Sequence, residues 1–119
     1  MEATLILDTR RHERELGARS LGLLDRRLLY RTPAALVELR VPPCHGSREE
    51  QWVFGQYLPA DAAAEVGRLR VVLRDDAGET REVEASETGD FALPCDPSRA
   101  FSLECAGPGG PLVSVRFEP

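Results

Sequence analysis

Lysine is absent from this chain of 119 residues: all fifteen basic side chains are arginine. That excludes the phosphate-cradling loop G-x-x-x-x-G-K-[ST], which needs a lysine amine, and any mechanism that runs through a lysine Schiff base. With nine prolines, ten glycines and abundant alanine, the bias fits a GC-rich bacterial genome. Aromatic residues are scarce at 6%, with a single tryptophan. Long apolar runs are missing too, and no stretch approaches the roughly 18 to 20 residues of a membrane-spanning helix. The first eight residues, Met1-Glu2-Ala3-Thr4-Leu5-Ile6-Leu7-Asp8, lack the basic and apolar regions of a secretory leader. The expected compartment is the cytoplasm, with no membrane partner.

Chemistry-bearing residues are equally few. Cys44, Cys95 and Cys105 cannot all pair within one chain, and a reducing compartment keeps them as thiols. A nucleophilic triad needs a base, and only His12 and His45 are present. His12 sits in a charged segment and is expected to be solvated, while Cys44 and His45 are neighbours, a spacing that seldom presents both side chains in attack geometry. Cys44, His45, Cys95 and Cys105 add up to a set that zinc accepts, but no C-x₂-C pair is present and Cys105 alternates with the core positions Phe101 and Leu103. Asp75, Asp76 and Glu79 make an acidic turn without the further bidentate acid that calcium prefers. The expectation is a chain with no catalytic residues, no metal and no cofactor.

What is present is alternation. An apolar share of 42% against 29% charged residues suits one soluble domain, 1–119, large enough to bury a core without staples. Val37, Leu39 and Val41 alternate with Glu38 and Arg40, and Leu69, Val71 and Leu73 with Arg68, Arg70 and Arg74, which predicts strands with one buried face. Residues 51–58, 80–85, 90–93, 100–105 and 111–117 are further strand candidates, separated by Gly, Pro and Asp turns at spacings of roughly 8 to 12 residues. Asp76-Ala77-Gly78 predicts a hairpin between 68–74 and 80–85. Gly89 predicts a reversal that delivers Phe91 and Leu93 to one inner face. The fold class is therefore all-β, an antiparallel β-sandwich of seven to eight strands. Phe91, Leu93, Phe101, Leu103, Val71, Leu73, Val113 and Val115 are its expected common layer.

The first third is ambiguous. Thr4 to Asp8 reads as a short strand. Residues 12–29 carry Leu16, Leu21, Leu24 and Leu28 at partly helical spacing, broken by Gly17 and Gly22. A charged loop followed by a strand over 27–32 is the favoured reading, because Pro33 stops the element and Leu28 and Tyr30 alternate with Leu29 and Arg31. The run Ala60 to Val66 is either one helical turn or an extended crossover.

The second half resembles carboxypeptidase regulatory-like domains. Gln51-Trp52-Val53-Phe54-Gly55-Gln56-Tyr57-Leu58 looks like their opening strand, Arg68-Leu69-Arg70-Val71-Val72-Leu73 stands where they have "A-x-V-x-L", Ala85 to Leu93 is similar to "T-D-x-x-G-x-F-x-L", and Arg99 to Cys105 to "Y-x-L-x-V". The turn before the last of these departs from the usual proline-glycine. The resemblance implies a transthyretin-like or immunoglobulin-like sandwich at 51–117, a fold used as a structural or binding module without catalytic residues of its own. The segments Ala18-Arg19-Ser20, Arg27 to Arg31 and Val37 to Val41 are similar to uncharacterised bacterial proteins encoded near sigma and anti-sigma factors, which implies a regulatory neighbourhood.

Charge is uneven. Residues 1–48 hold nine arginines and six acids (9 − 6 = +3), and 49–119 hold six arginines and fourteen acids (6 − 14 = −8). An amino-terminal arm, 1–26, is thus a candidate docking segment, with Arg10, Arg11, Arg14, Arg19, Arg26 and Arg27 as candidate partner-binding residues and Arg31 beside them. Their interleaving with Asp8, Glu13, Glu15 and Asp25 is equally the mark of a solvated surface. The functional expectation is a non-catalytic protein-interaction or accessory regulatory module, with a protein partner such as a sigma or anti-sigma factor, bound at a sheet edge or through the arm. The alternatives are a small-ligand or carbohydrate-binding domain and a nucleic-acid-associated regulator. The acidic second half disfavours phosphate tracking. Trp52 and Tyr57, on opposite faces by alternation, do not form a shared sugar platform.

Overall fold

The computed structural model describes residues 1–9, 25–43, 51–61 and 68–119. Among them are nine strands and two sheets: β1 (Thr4–Asp8), β2 (Arg26–Thr32), β3 (Ala35–Val41), β4 (Gln51–Pro59), β5 (Arg70–Asp75), β6 (Thr80–Glu84), β7 (Asp90–Cys95), β8 (Phe101–Gly107) and β9 (Gly110–Phe117). The larger sheet runs β1-β2-β3-β4-β7 and the smaller β6-β5-β8-β9, all neighbours antiparallel. The all-β sandwich expected from alternation is the observed fold, with one strand more than the upper end of the expected range. Residues 12–24 and 62–66, whose helical or extended character the sequence left open, lie outside the described residues.

The chain lays down β1 to β4 as a meander, crosses for the β5–β6 hairpin, returns for β7 and crosses again for β8–β9. Local chemistry sets the corners. Between β2 and β3 the buried Thr32 hydroxyl accepts the backbone N–H groups of Ala34 (3.1 Å) and Ala35 (3.0 Å), so a two-residue turn closes with its donors satisfied. The β5–β6 turn uses the Asp75 carboxylate, which accepts the Glu79 N–H at 3.0 Å, and places Gly78 at φ +87°. At the β6–β7 corner Gly89 takes φ +85°, and its carbonyl accepts the Tyr57 N–H at 2.9 Å. A Cβ there would lie 2.2 Å from the Tyr57 carbonyl oxygen, so both conformation and space require glycine.

The core lies between the sheets. All eight residues of the expected layer are buried, together with Leu28, Tyr30, Val37, Leu39, Val41, Val53, Tyr57, Cys105 and Phe117. Phe101 and Phe117 stack with ring centroids 4.6 Å apart. Phe91 rests on Gly55, whose missing side chain makes room for the ring: a Cβ at Gly55 would be 2.3 Å from the Phe91 Cζ. The Tyr30 hydroxyl, carried into the interior, donates to the Arg116 carbonyl at 2.9 Å.

The amino-terminal residues belong to this architecture. β1 pairs with β2 through a register irregularity between Leu5 and Leu7, and Met1 to Ala3 bridge to β9 by Ala3 N–H to Ser114 O and Ser114 N–H to Met1 O, both 2.8 Å. Among the described residues no helix is long and apolar enough to cross a membrane.

Candidate functional site

Four outer strands are candidate edges, and three are blunted. Along β9 the carbonyls of Ser114, Arg116 and Glu118 accept from Ala3 N–H, the Tyr30 hydroxyl and the Arg26 guanidinium (2.8, 2.9 and 2.7 Å). β6 presents Thr80, Arg81, Glu82 and Glu84 to solvent, a charged edge that resists pairing with another strand. β7 contains Pro94, which has no N–H to offer, and the backbone of Asp90 is occupied by Ser86. β1, the remaining edge, carries three exposed apolar side chains in a row, Leu5, Ile6 and Leu7.

The broad faces differ more than the edges. On the outer side of the larger sheet, β4 turns Trp52 (44% exposed) and Phe54 (55% exposed) outward, with Leu58 further along, while Val53 and Tyr57 go inward. Two residues of strand separate same-face side chains by roughly 7 Å, so Trp52 and Phe54 form a continuous aromatic stripe. Its neighbours on β7 are small: Trp52 is paired with Pro94 and Phe54 with Ala92. On the other flank Phe54 is paired with Arg40, which is paired with Arg27. A groove of roughly 480 Å³ opens beside Phe54, lined also by Asp25, Glu38, Arg40, Gln56 and Asp90. Arg40 lies 3.6 Å from Glu38 in a loose, exposed ion pair, and Asp90 accepts the Thr88 hydroxyl at 2.5 Å.

The smaller sheet's outer face carries polar groups that satisfy one another. Arg116 reaches Asp76 at 3.1 Å, Glu118 at 3.0 Å and the Ser102 hydroxyl at 3.1 Å. Asp76 is thereby drawn into an ion pair and Asp75 into closing its turn, which is how the acidic turn Asp75, Asp76 and Glu79 is used. Among the described residues no three His, Cys, Asp or Glu side chains are grouped to hold a metal ion.

The candidate partner-binding arginines separate. Arg10, Arg11, Arg14 and Arg19 lie outside the described residues, as do His12, Cys44 and His45. Arg26 is engaged inside the fold: its guanidinium makes a two-point ion pair with Asp8 (2.9 and 2.6 Å) and lies 5.1 Å from the Phe117 ring centroid. Arg27 is exposed and shares the aromatic face. Among the described residues neither Cys95 nor Cys105 belongs to a group that could hold a metal ion. Burial pushes both thiols up to about 12, with Asp96 and Glu104 respectively adding to the effect, so neither is an activated nucleophile.

Phe54 is the residue that sequence reasoning missed. The signal was available: alternation sets Trp52 beside Phe54 as firmly as it sets Trp52 against Tyr57. Compared with models of protein families, with curated proteins and with solved structures, the chain matches none.

Proposed function

We propose that the chain is a non-catalytic interaction module that acts in the cytoplasm and docks a protein partner on the outer face of its larger sheet. The observation that carries this reading is the Trp52–Phe54 stripe: two large aromatic side chains, about half exposed, side by side on a rigid strand in a protein with only seven aromatic residues. Exposed aromatics next to arginine are the composition of interface hot spots. The resemblance of 51–117 to carboxypeptidase regulatory-like domains supports a binding role, and the blunting of three of the four sheet edges favours face docking over strand addition.

A second reading has its own observation. Trp52 and Phe54 share a face, so the objection raised by Trp52 and Tyr57 against a carbohydrate platform no longer applies, and Gln56, Glu38 and Asp90 supply hydrogen-bonding groups beside it. The test is a paired substitution, Trp52→Ser with Phe54→Ser, compared with Leu112→Ser on the opposite sheet. The expected result is an unchanged melting temperature with loss of the proteins retained from cells of the source organism, and retention by the Leu112 variant. Partner retention by the doubly substituted chain removes the reading. Loss of retention by the wild type on addition of free oligosaccharide selects the carbohydrate alternative.

A further inference from the structure

We infer that the groove beside Phe54 recognises a basic segment of the partner, seating an arginine or lysine side chain against the aromatic ring. This rests on the interaction-module reading and names the partner's chemistry. The register fixes the arrangement. Glu38, Gln56 and Asp90 lie in one cross-strand row, and Arg40, Phe54 and Ala92 lie in the next. Adjacent antiparallel strands are about 4.5 to 5.5 Å apart at paired Cα atoms, so the two carboxylates flank Gln56 at a span of roughly 10 Å. Phe54 stands one side-chain step away along the strand.

Charge then selects among occupants. The groove holds three carboxylates, Asp25, Glu38 and Asp90, against one guanidinium, Arg40, a lining charge of 1 − 3 = −2. Arg40 does not cancel its neighbours, since its contact with Glu38 is long at 3.6 Å and its side chain is 52% exposed. An acidic segment meets net repulsion here. A purely apolar one would strip water from carboxylates without replacing it. A cation is met by the Phe54 ring, by carboxylates on both flanks and by the acceptor oxygen of the Gln56 amide, whose Nε2 donates to the Thr88 carbonyl at 3.5 Å. A guanidinium uses all three because it is planar and carries five donors. The small side chains of Ala92 and Pro94 leave the approach from β7 low, and the partner's apolar residues have Trp52 to cover.

Trp52 is the chain's sole tryptophan, is exposed and stands two residues from Phe54, so its emission reports on this groove. The experiment titrates the full-length protein with a blocked octapeptide of alternating Arg and Leu, and with counterparts carrying Gln or Glu in place of Arg. The expected result is a saturable change with the Arg peptide alone, weakened about tenfold by Phe54→Ala and by Glu38→Gln combined with Asp90→Asn. Glu82→Gln with Glu84→Gln on β6 makes the same change in net charge away from the groove and leaves the affinity unaltered. If Asp90→Asn disturbs folding, Glu38→Gln alone carries the comparison. Equal weakening by the β6 pair assigns the binding to general attraction by an acidic protein and overturns the inference. Binding of the Gln or Glu peptide that Phe54→Ala abolishes overturns it too, while leaving the interaction module intact. Absence of binding by every peptide, with the wild-type chain still losing its cellular partner on Trp52→Ser and Phe54→Ser, does the same.

Discussion

Phe91 and Gly55 make one packing unit across β4 and β7, and Gly89 makes the corner that brings Phe91 there. Gly55→Ala drives a methyl to 2.3 Å from a ring that can yield a little, so a cost of about 1 to 3 kcal/mol is expected. Gly89→Ala meets the Tyr57 carbonyl at 2.2 Å and a positive φ, and backbone does not yield; its denaturation midpoint is expected to fall further than that of Gly55→Ala. The reverse order contradicts the corner geometry. Phe101→Ala removes a ring stacked on Phe117 in the core and should cost about 3 to 5 kcal/mol, measured by denaturant unfolding. The reversal at Gly89 was legible because glycine before a strand has few other uses. The need for glycine at 55 was not, since it depends on a side chain 36 residues away in sequence, across a pairing that alternation alone does not specify.

Three desolvated acids, Cys105 and Tyr30 buried and Cys95 half-buried, set a pH dependence at the same scale. Desolvation raises the Cys95 and Cys105 thiols from their ordinary 9.0 to about 12, and raises the Tyr30 phenol from 10.0 to about 12 against the opposing pull of the Arg26 guanidinium. Between the ordinary and raised values the unfolded chain has released protons that the folded chain still holds, so stability falls as pH rises. The contribution is complete below about pH 9 and is lost towards about pH 12. Urea midpoints at about pH 8 and about pH 10.5 are expected to differ, the second being lower. Equal midpoints contradict the burial of these groups.

At the scale of elements, β1 decides whether the amino terminus is an arm or part of the fold. Thr4 to Asp8 lies in the larger sheet, Met1 to Ala3 bridge to β9, and Arg26 ties Asp8 to the Glu118 carbonyl and the Phe117 ring. Deletion of residues 1–8 is therefore expected to lower the melting temperature by several degrees, by exposing the flank of β2 and removing the carboxylate that pairs with Arg26; a truncated chain that melts like the full one contradicts this. Arg26→Ala should cost about 2 kcal/mol, between the value of an exposed and of a fully buried pair, because its ion pair with Asp8 is only 17% and 11% exposed. The strand at 4–8 was visible as a short β-rich run. Its attachment was not, because five residues with three exposed apolar side chains show no alternation, and Asp8 and Arg26 look like solvated charges until the sheet brings them together. Strands β3 and β5 were legible for the opposite reason: buried Val37, Leu39 and Val41 alternate with Glu38 and Arg40, and buried Val71 and Leu73 are flanked by Arg70 and Arg74, with Leu36 and Val72 as the apolar exceptions on the outward face.

At the scale of the molecule, the two outer faces follow from what each sheet buries. The smaller sheet closes its outward polar groups on one another through Arg116, Asp76 and Ser102, whereas the larger sheet leaves an aromatic stripe beside a groove of negative sign. The all-β class followed from period-two patterning, and the same patterning sets Trp52 and Phe54 on one face; that this face is solvated rather than buried depends on which sheet packs against which, and alternation does not specify that. The direct measurement is a backbone amide chemical-shift map of the isotopically labelled chain with and without the blocked Arg–Leu octapeptide. The account predicts shifts concentrated at Glu38, Arg40, Trp52 to Gln56 and Asp90 to Leu93, with β5, β6, β8 and β9 unmoved. Shifts confined to those four strands, or none anywhere, would contradict it.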